Sequence, residues 1–244
     1  MSISNRVTEK MGELKLPGML LAYEEQEQMP GCAELTFAER LLLLLEREHL
    51  QRENRRLARL LKRSQLRTTA TVEDLDFRNG RGLQRTVVLS LATGEWVQRA
   101  QNLIITGPTG AGKSYLAGAL LTAACRAGFS GRYYRLTQLL YALKLAHADG
   151  TYARFLQQTQ KFALLVIDDW GIPNLTADDR ERLLEVLDDR GGVRATLIAA
   201  QLPIEQWHAY IGDQTLADAI CDRLVHGAHR VVLAGESMRK RRAA

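Results

Sequence analysis

The chain has 244 residues, 46% hydrophobic and 25% charged, with nineteen glycines against five prolines; these proportions suit a globular protein with an apolar core and exclude disorder, collagen and a small disulfide scaffold. Thirty-three basic and 28 acidic residues leave a formal charge of +5, so a polyanion would be met by local concentrations of charge rather than by the whole surface. Cys32, Cys125 and Cys221 are odd in number and far apart, which fits reduced thiols and neither a disulfide framework nor a zinc site.

From the first residue the chain reads as cytosolic. Met1 to Pro17 carries Arg6, Glu9, Lys10, Glu13 and Lys15, unlike a secretory signal. The longest aliphatic run, Leu41 to Leu45, is followed by Glu46 and Arg47, far short of the roughly 20 apolar residues that span a bilayer. Residues 1 to about 66 are expected to be all helical, with a break at Met29-Pro30-Gly31 and a new helix beginning near Thr36, whose spacing to Glu39 is that of a capping box. Between Arg47 and Arg67 stand eight Lys or Arg against two Glu, and Arg239, Lys240, Arg241 and Arg242 close the chain. At about 100° per residue, Leu50, Leu57 and Leu61 share one helix face, and Arg52, Arg56, Arg59 and Arg63 cluster on the opposite one. That basic face is either a solvated surface on a helix packed by its leucines or a track for DNA phosphates.

A polar stretch, Arg67 to Thr71, reads as a linker, which divides the chain into a helical domain, 1–68, and a core, 69–244. In the core, strand-like runs (Leu103 to Thr106, Arg132 to Leu136, Phe162 to Ile167, Thr196 to Ala200, Arg230 to Leu233) alternate with stretches long enough for crossover helices. The expected class is α/β with a parallel five-stranded sheet.

Gly107-Pro108-Thr109-Gly110-Ala111-Gly112-Lys113-Ser114 matches G-x-x-x-x-G-K-[ST] in the right setting, after an apolar strand and before an Ala/Leu-rich helix that ends at Gly128. Glycines let the backbone wrap a phosphate so that its N–H groups and the helix N-terminus face the charge. Lys113 adds a point charge at the β- and γ-phosphates, Ser114 offers its hydroxyl to Mg²⁺, and Tyr115 follows in the same cradle. Leu164 to Ile167 then lead into Asp168 and Asp169, fifty-five positions beyond Lys113. Asp168 is expected to hold the metal through water, and Asp169 to orient or activate the attacking water. A strand between loop and acid, with an acid beside the metal aspartate, is the arrangement of P-loop ATPases rather than of kinases or G proteins.

These segments, together with Asp74-Leu75-Asp76-Phe77, Gln201 to Trp207, Asp222 to His226 and Glu236 to Lys240, resemble the IstB family, ATP-binding helpers of insertion-sequence transposases, itself similar to the DnaC-type helicase loaders among the AAA+ ATPases. The resemblance implies a P-loop fold of AAA+ type and ATP-dependent assembly as a ring or filament on duplex DNA with little sequence preference. It further implies activation of a partner transposase in the bacterial cytoplasm, on the nucleoid. It places Leu75 and Phe77 at the adenine, Gln201 as a sensor of the γ-phosphate, and Arg223 as an arginine finger reaching the nucleotide of a neighbouring copy. Arg223 also reads as an ordinary ion pair with Asp218, Asp222 or His226. Twenty-one residues follow Arg223, too few for the usual helical lid. The segment Leu136 to Phe155 is expected to hold a helical insertion that offers Lys144 and Arg154 to DNA. A helicase loader, a small-molecule kinase and a DNA-coating protein with a silent nucleotide site stay open; the adjacent aspartates and the basic appendage weigh against the kinase.

Overall fold

The computed structural model describes residues 2–66, 70–77 and 82–235, and contacts within it divide the chain into two compact units, Met1–Arg59 and Leu60–Ala244. Residues 67–69 of the expected linker, the whole Glu236 to Lys240 motif and the basic run Arg239 to Arg242 lie outside the described residues. Among the described residues no helix is long and apolar enough to cross a membrane.

The first unit consists of α1 (Ile3–Glu13), α2 (Pro17–Gln28), a 3₁₀ turn (Pro30–Glu34) and the start of α3 (Phe37–Ser64). Pro30 closes α2 where the sequence required. Thr36 and Glu39 open α3 reciprocally: the Thr36 amide donates to Glu39 Oε2 at 2.8 Å and the Glu39 amide to Thr36 Oγ1 at 3.3 Å.

The packed face of α3 differs from the expected leucine face. Leu50 is 50% exposed, whereas Leu44 and Glu48 are buried. The reason lies at the start of α2, where Pro17 occupies the first turn and the following amides have no intrahelical acceptor. Gly18 and Met19 donate instead to Glu48 Oε2, at 2.7 and 3.2 Å. Gly18 permits this approach, since a Cβ there would lie 2.6 Å from Glu48 Cα. Burial works to raise the Glu48 pKa, but hydrogen bonds from Arg52, Met19 and Gly18 outweigh it and hold the carboxylate below its ordinary value.

The second unit is built on a sheet of β1 (Leu103–Thr106), β2 (Gly131–Arg135), β3 (Leu164–Trp170), β4 (Ala195–Ala200) and β5 (His229–Val232), in spatial order β2-β3-β4-β1-β5. Every neighbouring pair is parallel, so each connection must cross over, and the helices cover both faces. Side chains alternate along each strand. Ile104, Leu165, Ile167 and Ile198 form one core with α7 (Leu136–Ala148), α9 (Ala177–Asp188) and α11 (Gln214–Val225). The opposite face meets α6 (Lys113–Arg126), whose residues from Leu116 to Cys125 are all buried.

Two short helices, α4 (Arg85–Ala92) and α5 (Glu95–Gln98), precede β1, while α8 (Tyr152–Gln160) precedes β3 and α10 (Trp207–Ile211) follows β4. At the N-terminal end of the sheet Arg190, 1% exposed, spends its guanidinium on oxygens. It donates to Thr159 O at 2.7 Å, Phe162 O at 3.0 Å and Thr196 Oγ1 at 3.2 Å. This ties the end of α8 to the starts of β3 and β4 and fixes the turn that follows α9.

Candidate functional site

At the C-terminal end of β1, the strand beside which the strand order reverses, the chain enters the turn 107–112; ligands of open α/β sheets bind at such a point. Gly107 stands so close to the segment after β5 that a Cβ would lie 2.4 Å from Leu233 O. Gly112, at φ 96°, is the N-cap of α6 in a left-handed conformation that favours glycine. The turn thereby leads the backbone directly into the positive end of a fourteen-residue helix. Lys113, its first residue, is 7% exposed and donates to the carbonyls of Gly107 at 2.8 Å and Pro108 at 2.9 Å. Burial pulls its ammonium below the ordinary lysine range, and the charges of Asp168 and Asp169 act against that pull. Ala111 is buried, Ser114, which follows Lys113, is exposed, and Tyr115 is half-buried.

β3 extends three residues past the expected end of the apolar run, through Trp170, with an irregularity in its pairing to β4 between Ile167 and Trp170. Asp168 is accordingly inside the sheet, 2% exposed, and Asp169 sits at φ 60°. The Asp169 amide donates to Asp168 Oδ1, at 2.8 Å. The other oxygen, Oδ2, accepts from the Tyr133 hydroxyl on β2. Asp169 faces Arg135, with 3.6 Å between Nε and Oδ2. Burial, and the charge of Asp168 after it, push the Tyr133 phenol far above its ordinary pKa, which keeps it a neutral donor.

The bulge is anchored from below. Trp170 packs on Trp207 with 5.1 Å between ring centroids, and Trp207 Nε1 donates to Leu202 O at 3.1 Å. Gln201 is held in this turn, exposed, immediately after Ala200. Since β4 lies between β1 and β3, Gln201 emerges between the strand leading to Lys113 and the strand carrying Asp168. A cleft of about 960 Å³ opens beside this point, toward β2, walled by Ser114, Tyr115, Tyr133, Asp168, Asp169 and Tyr141 among others; Lys113, Gln201 and the turn 107–112 do not line it. Leu75, buried, and Phe77, half-buried, belong to the irregular segment 70–77 and do not line it.

Arg223 is elsewhere. It lies near the end of α11, where its backbone carbonyl accepts from Asn102 Nδ2 at 2.7 Å, and Asn102 precedes β1. The four residues of β1, at about 3.3 Å each, separate that end of the sheet from the Gly107 turn. Arg223 Nε donates to Asp188 Oδ1 at 2.6 Å and its Nη1 to Asp222 Oδ2 at 3.3 Å. Of the carboxylates the sequence suggested, Asp222 is a partner; Asp188, thirty-five residues away, was not legible.

The sequence-expected residues Lys113, Ser114, Asp168, Asp169 and Gln201 thus converge at one end of the sheet. Such convergence, with an aligned helix N-terminus and a buried lysine, is the geometry of a nucleoside triphosphate site. A family described as IstB-like ATP binding protein matches residues 9–244. The chain belongs to that family.

This IstB-like chain is 44% identical over 238 residues to y4pL, an insertion sequence ATP-binding protein of Sinorhizobium fredii, covering 98% of this chain and 97% of that one. Among solved structures, the DnaC helicase loader aligns with a TM-score of 0.55 and 21% identity over 67% of this chain and 96% of its own. AMPPCP-bound DnaA from Aquifex aeolicus aligns with a TM-score of 0.59 and 19% identity over 72% and 53%. The fold is therefore that of the AAA+ P-loop domains, and the family is an ATP-binding one. Tyr133 and Arg135, which reach the two aspartates, were read from the sequence only as strand residues. The register that brings them there is set between strands: Arg135 pairs with Asp168, and Tyr133 with Val166, two residues earlier on the same face.

The four arginines of the basic face are exposed along α3; Arg52 is ion-paired to the buried Glu48 at 2.6 Å. Lys144 on α7 pairs with Asp179, the residue that completes the capping box of Thr176 at the start of α9, at 3.1 Å, so its charge is engaged within the fold. Arg154 on α8 is exposed.

Proposed function

We propose that this chain is an ATP-hydrolysing assembly protein of an insertion sequence, one that polymerises copy to copy on duplex DNA and recruits or activates a partner transposase at the target. The observation that carries this reading is the position of Arg223. It stands at the far end of the sheet from Lys113 and Asp168 of its own chain, so a finger role requires the pocket of another copy. ATP then bridges neighbours, and hydrolysis releases them.

In this reading the Gly107–Gly112 amides and Lys113 hold the β- and γ-phosphates, and Leu75 and Phe77 flank the adenine. Asp169 orients the attacking water, Gln201 senses the γ-phosphate, and Arg223 of the next copy meets the charge that develops on it. The chemistry of the donors fits Mg²⁺: one hydroxyl, Ser114, and one buried carboxylate, Asp168, suit an ion that takes most of its ligands from phosphate and water. Among the described residues no group of three or more His, Cys, Asp or Glu forms a protein cage for a metal. Bound there, the ion would neutralise charge on the β- and γ-phosphates.

DNA is assigned to the arginine face of α3, with Arg154 as a secondary contact. Each copy contributes few phosphate contacts, and assembly multiplies them. Changing Arg52, Arg56, Arg59 and Arg63 together to Gln is expected to weaken binding to duplexes of any sequence and to lower the slope of log affinity against log salt by about 3 per copy. Arg52, tied to Glu48, contributes least. An unaltered slope in a salt titration of the full chain with ATP would remove α3 from the role.

A further inference from the structure

Asp168 is held with more care than a strand-end carboxylate requires. Its two oxygens have different donors from different strands: the amide of Asp169 on β3 and the hydroxyl of Tyr133 on β2. Two donors fix both the plane and the tilt of a carboxylate, whereas one leaves it free to rotate about Cβ–Cγ. The Tyr133 ring is half-buried in the wall of the cleft beside Ser114, and the parallel β2–β3 register puts it on the same sheet face as Asp168. Each carboxylate oxygen keeps a further lone pair. A carboxylate so occupied reaches a cation through the cation's water shell rather than by displacing it, and magnesium gives up its water reluctantly.

We propose that Tyr133 is a positioning residue: its hydroxyl orients Asp168 toward the hydrated magnesium that accompanies ATP, and thereby sets how much magnesium the site needs. The inference rests on the reading of Asp168 as the metal-side acid. Tyr133→Phe keeps the ring and its packing and removes only the donor, leaving Asp168 Oδ2 unpaired in a buried position.

The test uses the full-length chain and a fluorescently labelled, non-hydrolysable ATP analogue, whose binding is followed as magnesium is titrated in. Tyr133→Phe is expected to raise the half-saturating magnesium concentration about 10-fold, the usual effect of losing an outer partner of a metal-side ligand. Analogue affinity in EDTA is expected to stay that of the unaltered protein, and the melting temperature to fall only by the few degrees that one hydrogen bond lost to a buried carboxylate costs. Asp168→Asn serves as reference. If Asp168→Asn shifts the magnesium midpoint and Tyr133→Phe does not, the positioning role is overturned while the site stands. If Tyr133→Phe weakens binding equally with and without magnesium, its role is structural and the proposal fails. If Asp168→Asn leaves the midpoint unmoved, the metal-side reading itself is wrong, and the inference falls with it.

Discussion

Lys113→Ala is expected to abolish nucleotide-dependent assembly while leaving the protein folded. The side chain is 7% exposed and is the first residue of α6, so an anion at the helix N-terminus meets an ammonium and a ring of backbone amides together. A hydrogen bond to a charged group contributes about 1.5–3 kcal/mol, so ATP affinity should fall about 10- to 100-fold, and turnover by a further ~10²–10³ through loss of charge stabilisation in the transition state. The fold itself gains little from this lysine. Burial lowers its pKa, which means that the folded state disfavours the charged form; removing the charge removes a penalty that applies at all pH values below the ordinary lysine range. The melting temperature of the nucleotide-free variant should stay within a few degrees of the unaltered chain, because the relieved burial of the ammonium offsets the hydrogen bonds lost to the Gly107 and Pro108 carbonyls. Isothermal calorimetry with ATP and a thermal melt together check this: loss of binding with an intact melt is the expected pair. Unchanged assembly on DNA would support a silent nucleotide site.

Arg223→Ala separates binding from turnover. The guanidinium touches Asp188 and Asp222, and its side chain is 38% exposed; such surface pairs contribute about 0–1 kcal/mol. The Asn102 contact is to the Arg223 backbone and survives the substitution. Stability should therefore hold, and so should ATP affinity, since the arginine is remote from its own chain's pocket. A trans arginine accounts for about 10³–10⁵ in rate where P-loop enzymes use one. Turnover of the assembled protein on DNA should drop by that order, and phosphate release at saturating ATP measures it. Turnover within a few-fold of the unaltered chain would return Arg223 to the role of a surface ion pair.

Which parts of this were legible in the sequence follows from what each depends on. β1, the Gly107–Ser114 turn and α6 are local: an apolar run, three left-handed or close-packed glycines and an Ala/Leu helix specify themselves. The five strands and their parallel direction were readable for the same reason, through alternation with helices; their spatial order was not. β3 was read as ending at Ile167 because the apolar run ends there, but Trp170 is buried on Trp207 and draws the strand onward. The partners of the aspartates were invisible because Tyr133 and Arg135 reach them across a strand register that no local pattern encodes. The same holds for Asp188 beside Arg223 and for Arg190. On α3 the leucine stripe misled: the buried face is set by Glu48, a charged residue whose value lies in the unpaired amides of α2. Periodicity of apolar residues cannot register a carboxylate that is buried because something needs it.

The central claim is that each nucleotide is completed by two copies of the chain, and mixing two inactive variants tests it most directly. Lys113→Ala retains Arg223 and lacks a working pocket; Arg223→Ala retains the pocket and lacks the arginine. Combined in equal amounts on duplex DNA, they should recover up to about a quarter of the unaltered ATP turnover: random head-to-tail pairing sets an intact pocket against an intact arginine at one interface in four, and a Lys113→Ala pocket, which holds no bridging nucleotide, ends an assembly where it stands. A mixture as inactive as either variant alone would contradict a shared site.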